Sequence, residues 1–199
     1  MRILVYEHVS GGGYAGQPIN PSVLSEGFGM LRGFVADLKA IGHHTTVLLD
    51  ERIWRTHPPL SADRIIPISK RKSIKVLKST AKTCDATYII APETEKTLET
   101  LVHWSEQNGR LSLNSDANTI NQVSDKFLLF KTLIRNGLPA PETHVFETTV
   151  KTTEIINRAK DELGYPLVVK PINGVSCSGL SLVRDDGQMA AAIAKVKSE

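Results

Sequence analysis

Two apolar runs with a long helical stripe between them constrain this chain most. Arg2 to Val9 opens on Ile3, Leu4 and Val5, apolar and partly β-branched, and reads as a strand. Asn20 suits a helix N-cap and Pro21 the first helical position. Leu24, Phe28, Leu31, Val35 and Leu38 then alternate at spacings of four and three, one face of a helix that Gly42 closes. Thr45 to Leu49 is a second strand, ending at Asp50. Further along come a strand over Arg64–Ile68 with Pro67 inside it and a basic helix over Ser69–Lys82. After these follow a strand over Ala86–Ala91, a helix over Thr94–Gln107 with Leu98, Leu101, Val102 and Trp104 inward, and a short strand over Leu111–Leu113. Strands alternating with helices imply an α/β fold, a parallel sheet with helices on both faces. Ligands of such sheets gather at the carboxyl ends of the strands. Here those ends are Glu7 to Gly13, Asp50, Ala91 to Glu93 and Asn114.

Gly11, Gly13 and Gly16 match the spacing of a dinucleotide fingerprint, but that motif needs a helix to open within it, and Pro18 and Pro21 delay the helix. A dinucleotide-dependent oxidoreductase with Asp50 on a ribose therefore ranks low, and Asp50 reads as a loop residue or cap. The glycine stretch reads as a substrate-side loop, with a purely structural turn at equal weight. Bulk properties exclude other classes. Of 199 residues, 41% are apolar, enough for a real core, and a net charge of +3 does not argue for nucleic acid. The basic run Lys70-Arg71-Lys72 continues through Lys75, Lys78 and Lys82 at helical spacing, beside an apolar stripe of Ile74, Leu77 and Ala81. No aromatic residues interleave, so it reads as a solvated face. Cys84 and Cys177 lie far apart and in no metal-ligand spacing, which implies reduced thiols in a cytoplasmic protein. No apolar run reaches the length of a membrane span. Glu7 and His8 interrupt the N-terminal apolar run, which therefore reads as a strand and not a signal peptide.

The pattern changes after about Asp116. Ile120 to Asn136 reads as mostly helical, with Phe127, Phe130, Leu133 and Ile134 as its apolar set. Asn136-Gly137 stops it ahead of Pro139 and Pro141. A short strand over His144–Phe146 and a helix over Val150–Leu163 follow. Tyr165 to Val183 reads as two strands around a small polar loop, Asn173 to Gly179, with Leu167, Val168 and Val169 as a buried strand. Lys170 sits at the base of that loop, whose backbone N–H groups and hydroxyls could clamp a phosphate. An ordinary hairpin explains the same residues equally well. Asp185-Asp186-Gly187 turns into a last helix, Gln188 to Lys197. The stretch after Leu138 is small for an independent unit and should pack on something else.

Ser124-Asp125-Lys126, a helix, then Asn136-Gly137-Leu138-Pro139-Ala140-Pro141 resembles the entry into the nucleotide-binding module of the ATP-grasp ligases. Tyr165 to Pro171 resembles that superfamily's second lysine strand, and Gly174-Val175-Ser176-Cys177-Ser178-Gly179 its phosphate-covering loop. The opening Tyr6 to Gly13, with Ala91-Pro92-Glu93, is most similar to the tyramine–glutamate ligases of methanofuran biosynthesis. The resemblance implies a Rossmann-like pre-ATP-grasp domain over 1–115, a connecting helical segment over 116–138 and the small α+β first lobe of an ATP-grasp module over 139–199. It implies an ATP-dependent carboxylate–amine ligase working through an acyl phosphate, with this chain as its N-terminal part. Lys126, Lys170, Ser176, Cys177, Ser178 and Gly179 would bind the nucleotide, and Glu7, Gly11, Gly12, Gly13 and Glu93, with His8, would stand on the substrate side. The partners implied are small molecules. Mg²⁺ is expected beside ATP, with its ligands outside this chain, because no acidic cluster follows the clamp. The alternative is a non-catalytic binding or assembly module, one form of which is a homodimer.

Overall fold

The computed structural model describes residues 1–56, 58–69, 73–174 and 177–198. The chain divides into two compact units, Met1–Ile120 and Asn121–Glu199.

The first unit is a five-stranded, wholly parallel sheet in the order β3-β2-β1-β4-β5. The strands are β1 (Arg2–Glu7), β2 (His44–Asp50), β3 (Arg64–Ile68), β4 (Ala86–Ile90) and β5 (Leu111–Ser112). Pro67 is accommodated because β3 is an edge strand. Between them run α1 (Pro21–Ala40), the short α2 (Glu51–Trp54), α3 (Ser73–Ala81) and α4 (Thr97–Gln107), and α5 (Ala117–Ser124) follows β5. Asn20 caps α1 as its sequence promises: its side chain accepts the amides of Ser22 and Val23, and Pro21 takes the first helical position.

Alternate residues of the strands feed two cores. Ile3 and Val5, with Val47, Leu49 and Ala86, pack against Phe28, Leu31, Val35 and Leu38 of α1. Leu4 and Tyr6, with Leu48, Ile68 and Ile89, pack against Leu77 of α3, Leu101 and Val102 of α4, and Ala117 and Ile120 of α5. The sheet is thus covered on both faces, as the continuous apolar strands require. In α3 the inward residues are Ser73, Leu77, Thr80 and Ala81, while Ile74, expected inward, is 42% exposed. Lys70, Arg71 and Lys72 lie outside the described residues.

In the second unit α6 (Lys126–Arg135) comes first, and α7 (Thr152–Glu162), the antiparallel pair β6 (Leu167–Val169) and β7 (Ser181–Val183), and α8 (Asp186–Lys197) share a small core. It comprises Ile155, Ala159, Val183, Met189, Ala192 and Ile193, with Leu167 and Val169 against it. Ile120 to Asn136 is mostly helical, as expected. It is divided at Asp125, which takes an extended conformation and caps α6, and two other expectations are corrected. His144 to Phe146 is not a strand: the His144 ring is held by Glu162 and Glu142, and Phe146 packs on the core beneath the Arg158 guanidinium. Nor is β6 buried throughout, since Val168 points away from the core and is 50% exposed.

Candidate functional site

The strand order of the first unit reverses at β1, with β2 on one side and β4 on the other, and this is where open parallel sheets leave a crevice. Glu7 is in register with Ile90, so the connections that follow β1 and β4 start side by side. The sheet thereby brings Glu7, Gly11, Gly12 and Gly13 to the same end as Glu93.

These residues have different surroundings. Glu7 is 1% exposed, and its carboxylate accepts the amides of Val9 at 2.8 Å and Ser10 at 2.6 Å. Burial pushes its carboxyl above the ordinary value, against the hydrogen bonds from Ser10 and Val9. The first amides of the following turn, Val9–Gly13, are thus already satisfied by the protein's own anion. That turn is a single π-helical winding, closed by the Gly13 amide on the His8 carbonyl at 2.8 Å. Its glycines are needed for packing. A Cβ on Gly11 would lie 2.8 Å from the Tyr6 ring, and one on Gly12, where φ is +90°, 2.8 Å from Ile68. One on Gly13 would collide with the His8 ring. The His8 amide donates to Ile90, and burial lowers the pKa of its imidazole. Tyr14 meets that imidazole edge-on at 5.4 Å between ring centres. Glu93 is half-buried, and its carbonyl accepts the Lys96 amide. Asn114 closes the end of β4, its side chain bonding both the amide and the carbonyl of Ile89 at 2.8 Å.

Asp50, the acid that a dinucleotide fold would use on a ribose, is 2% exposed and caps α2 by accepting the Arg52 amide. Burial raises its pKa, but the Arg52 hydrogen bonds outweigh this and hold the carboxyl below the ordinary value. The Arg52 guanidinium lies on both carboxylate oxygens and also reaches the carbonyls of Tyr14 and Gln17. With this acid engaged, the turn sealed by Glu7 and α1 opening only at Pro21, the dinucleotide reading has no geometry to rest on. Nothing in the sequence marks Arg52 as part of this arrangement. Its one signal is an arginine two places after an acid at a strand end, a pattern too common to single out.

In the second unit Asp125 accepts the amides of Phe127 and Leu128, which starts α6 at Lys126. The Lys126 amide, left without a partner inside the helix, donates to the Ile172 carbonyl at 3.2 Å. Its ammonium reaches the carbonyls of Ile172 and Gly174, both at 3.3 Å. The helix start is thereby fastened to the β6–β7 loop on its β6 side. Lys170 stands exposed at the end of β6 and, among the described residues, has no ion-pair partner. On the β7 side the loop returns through Cys177, exposed with φ +57°, Ser178, and Gly179, buried with φ +69°. The Cys177 carbonyl accepts the Leu180 amide at 3.2 Å. Ser176 lies outside the described residues. The β6 side of the loop thus carries the Lys126 ammonium on its carbonyls and Lys170 at its start, with no acid engaging either among the described residues, a charge pattern that suits a polyphosphate. Among the described residues no group of three or more His, Cys, Asp or Glu could hold a metal ion.

Comparison with known proteins agrees with both halves. Residues 43–120 match the model of the pre ATP-grasp 3 domain. Residues 123–198 match the model of the RimK-like ATP-grasp domain, so both matches point to ATP-grasp proteins. Among solved structures, an ATP-grasp superfamily protein from Archaeoglobus fulgidus is similar with a TM-score of 0.63 and 21% identity, over 87% of this chain and 47% of that one. Biotin carboxylase from Campylobacter jejuni gives a TM-score of 0.69 at 16% identity, over 99% and 41%. L-amino acid ligase from Bacillus licheniformis gives 0.57 at 17% identity, also over 99% and 41%. At these identities the likeness is one of fold. The chain spans less than half the length of each of these three structures.

Proposed function

We propose that this chain is the N-terminal part of an ATP-dependent carboxylate–amine ligase. The observation that supports the reading is the tie of Lys126 to the β6–β7 loop, its ammonium on the Ile172 and Gly174 carbonyls, just beyond Lys170 at the end of β6. In this reading the two lysines neutralise the phosphates of ATP, and Ser176, Cys177, Ser178 and Gly179 cover them. Positioning and charge neutralisation are what phosphoryl transfer asks of a protein. A substrate carboxylate oxygen attacks the γ-phosphorus and ADP departs, leaving an acyl phosphate. An amine then attacks the acyl carbon, releases phosphate and loses a proton to give the amide. Glu7, Gly11, Gly12, Gly13 and Glu93 belong to the substrate side, Glu7 and the glycines by shaping the turn. The domains in this reading are 1–115, 116–138 and 139–199. Mg²⁺ would be bound by residues beyond this chain, and no step is assigned to it.

The resemblance of Tyr6–Gly13, with Ala91–Glu93, to the tyramine–glutamate ligases makes L-glutamate and tyramine the first pair to test. The longer parent protein, given ATP and both substrates, should release ADP and phosphate only when carboxylate and amine are both present. Lys170→Met should lower that turnover by at least about 100-fold, the scale for losing a group that stabilises transferring charge. Release of AMP and pyrophosphate, or full activity in Lys170→Met, would refute the reading.

A further inference from the structure

The segment leaving β1 is anchored at both ends by buried carboxylates. Glu7 holds its start directly, through the amides of Val9 and Ser10. Its far end is held at one remove. Arg52 Nε and Nη2 donate to Asp50 Oδ1 and Oδ2 at 2.9 and 2.8 Å. The same guanidinium donates from Nη1 to the Gln17 carbonyl at 2.8 Å and from Nη2 to the Tyr14 carbonyl at 3.0 Å. One planar fork therefore faces two ways, toward a carboxylate that cannot move and toward the backbone of the loop. An ammonium could not reproduce this, because it lacks the fork geometry. Between the anchors the loop carries His8 and Tyr14, half-buried and ring to ring at an interplanar angle of 76°. This pair sits at the sheet end where the strand order reverses. The loop offers no unpaired charge there, since Glu7 and Asp50 are both engaged internally.

We propose that Arg52 is a positioning residue: braced on Asp50, it fixes Tyr14 and so presents the His8–Tyr14 pair as the substrate-side wall of the site. The word substrate rests on the ligase reading, whereas the fixing of the loop does not. Gln17 directly precedes Pro18, so the same clamp also sets the approach of the chain to the Asn20 cap.

Hydrogen exchange in the chain, read by mass spectrometry, tests the fixing. The Ala15 and Gln17 amides donate to the carbonyls of Gly12 and Tyr14 and report on the loop. In both Arg52→Gln and Arg52→Lys they should exchange at least about tenfold faster, while amides of β1, β2 and β4 stay within about twofold of wild type. Unchanged loop exchange, or equal acceleration across the sheet, would overturn the proposal. The second arm uses the longer parent protein with ATP, L-glutamate and tyramine. Both variants should raise KM for glutamate or tyramine by about tenfold and leave kcat and the KM for ATP within about twofold. A fall in kcat with all three KM values unchanged would also overturn it. Should the wild-type parent not turn over this pair, the failure belongs to the ligase reading, and the exchange arm alone decides the role of Arg52.

Discussion

Glycine means different things at different places on one helix. A Cβ on Gly27 of α1 would lie 2.7 Å from the buried Glu7 carboxylate, whereas Gly29 and Gly33 have nothing within 4 Å of theirs. Replacement by alanine within a helix favours folding by up to about 1 kcal/mol through propensity alone. Gly29→Ala and Gly33→Ala should therefore stabilise the chain in urea unfolding, and Gly27→Ala should destabilise it despite the same gain. Glu7 adds a signature in pH. Its carboxyl binds a proton more readily in the folded chain than its ordinary value of 4.5 allows. The folded state therefore holds more protons above that pH, and stability falls as pH rises from about 4.5 through the raised native value. Glu7→Ala should lack this slope. It should also be less stable throughout, by about 2–5 kcal/mol for two buried amides left without acceptors. Unfolding midpoints measured across pH 4 to 8 check both statements. None of this is legible in the sequence, where Gly27, Gly29 and Gly33 look alike.

Periodicity located the elements well where they pack on the sheet. The α1 stripe is buried at Phe28, Leu31, Val35 and Leu38, because one face of that helix meets an apolar sheet. It failed where side-chain contacts replaced a backbone ladder, as at His144 and Phe146. The strand ends carry their own electrostatics. Asp85, just before β4, is bound by the Arg2 side chain and the Arg2 amide, which bring its carboxyl down to about 2. A carboxyl lowered on folding contributes stability that is present above its ordinary value of 3.8 and lost as pH falls toward the native one. The difference in stability between wild type and Asp85→Asn should therefore be full above about pH 4 and close as pH falls to about 2. A gap that stays constant in acid denaturation would contradict this pairing.

On the scale of the whole chain, the β6–β7 hairpin has apolar side chains on both faces. Leu167, Val169 and Val183 face the small core, while Val168 and Leu182, opposite each other across the pair, are 50% and 48% exposed. A two-stranded ribbon with an open apolar face is marginal in water and asks for a cover. In the ligase reading that cover is bound nucleotide together with the rest of the ATP-grasp domain. Leu182→Gln should then leave the stability of this chain within about 0.5 kcal/mol, as for other exposed positions. In the longer parent protein it should weaken ATP binding measured by calorimetry. Equal ATP affinity in variant and wild type would remove the hairpin face from the site.

Local signals determined the order of strands and helices and the parallel sheet, because period, caps and turn residues act over a few residues at a time. Only tertiary structure decided which charges face inward. Glu7 turned out to seal its own turn, Asp50 to serve as the brace for Arg52, and Lys126 to fasten a helix start to a loop distant in sequence. Each of these depends on which groups are desolvated together, and desolvation is set by how the whole sheet and its helices pack.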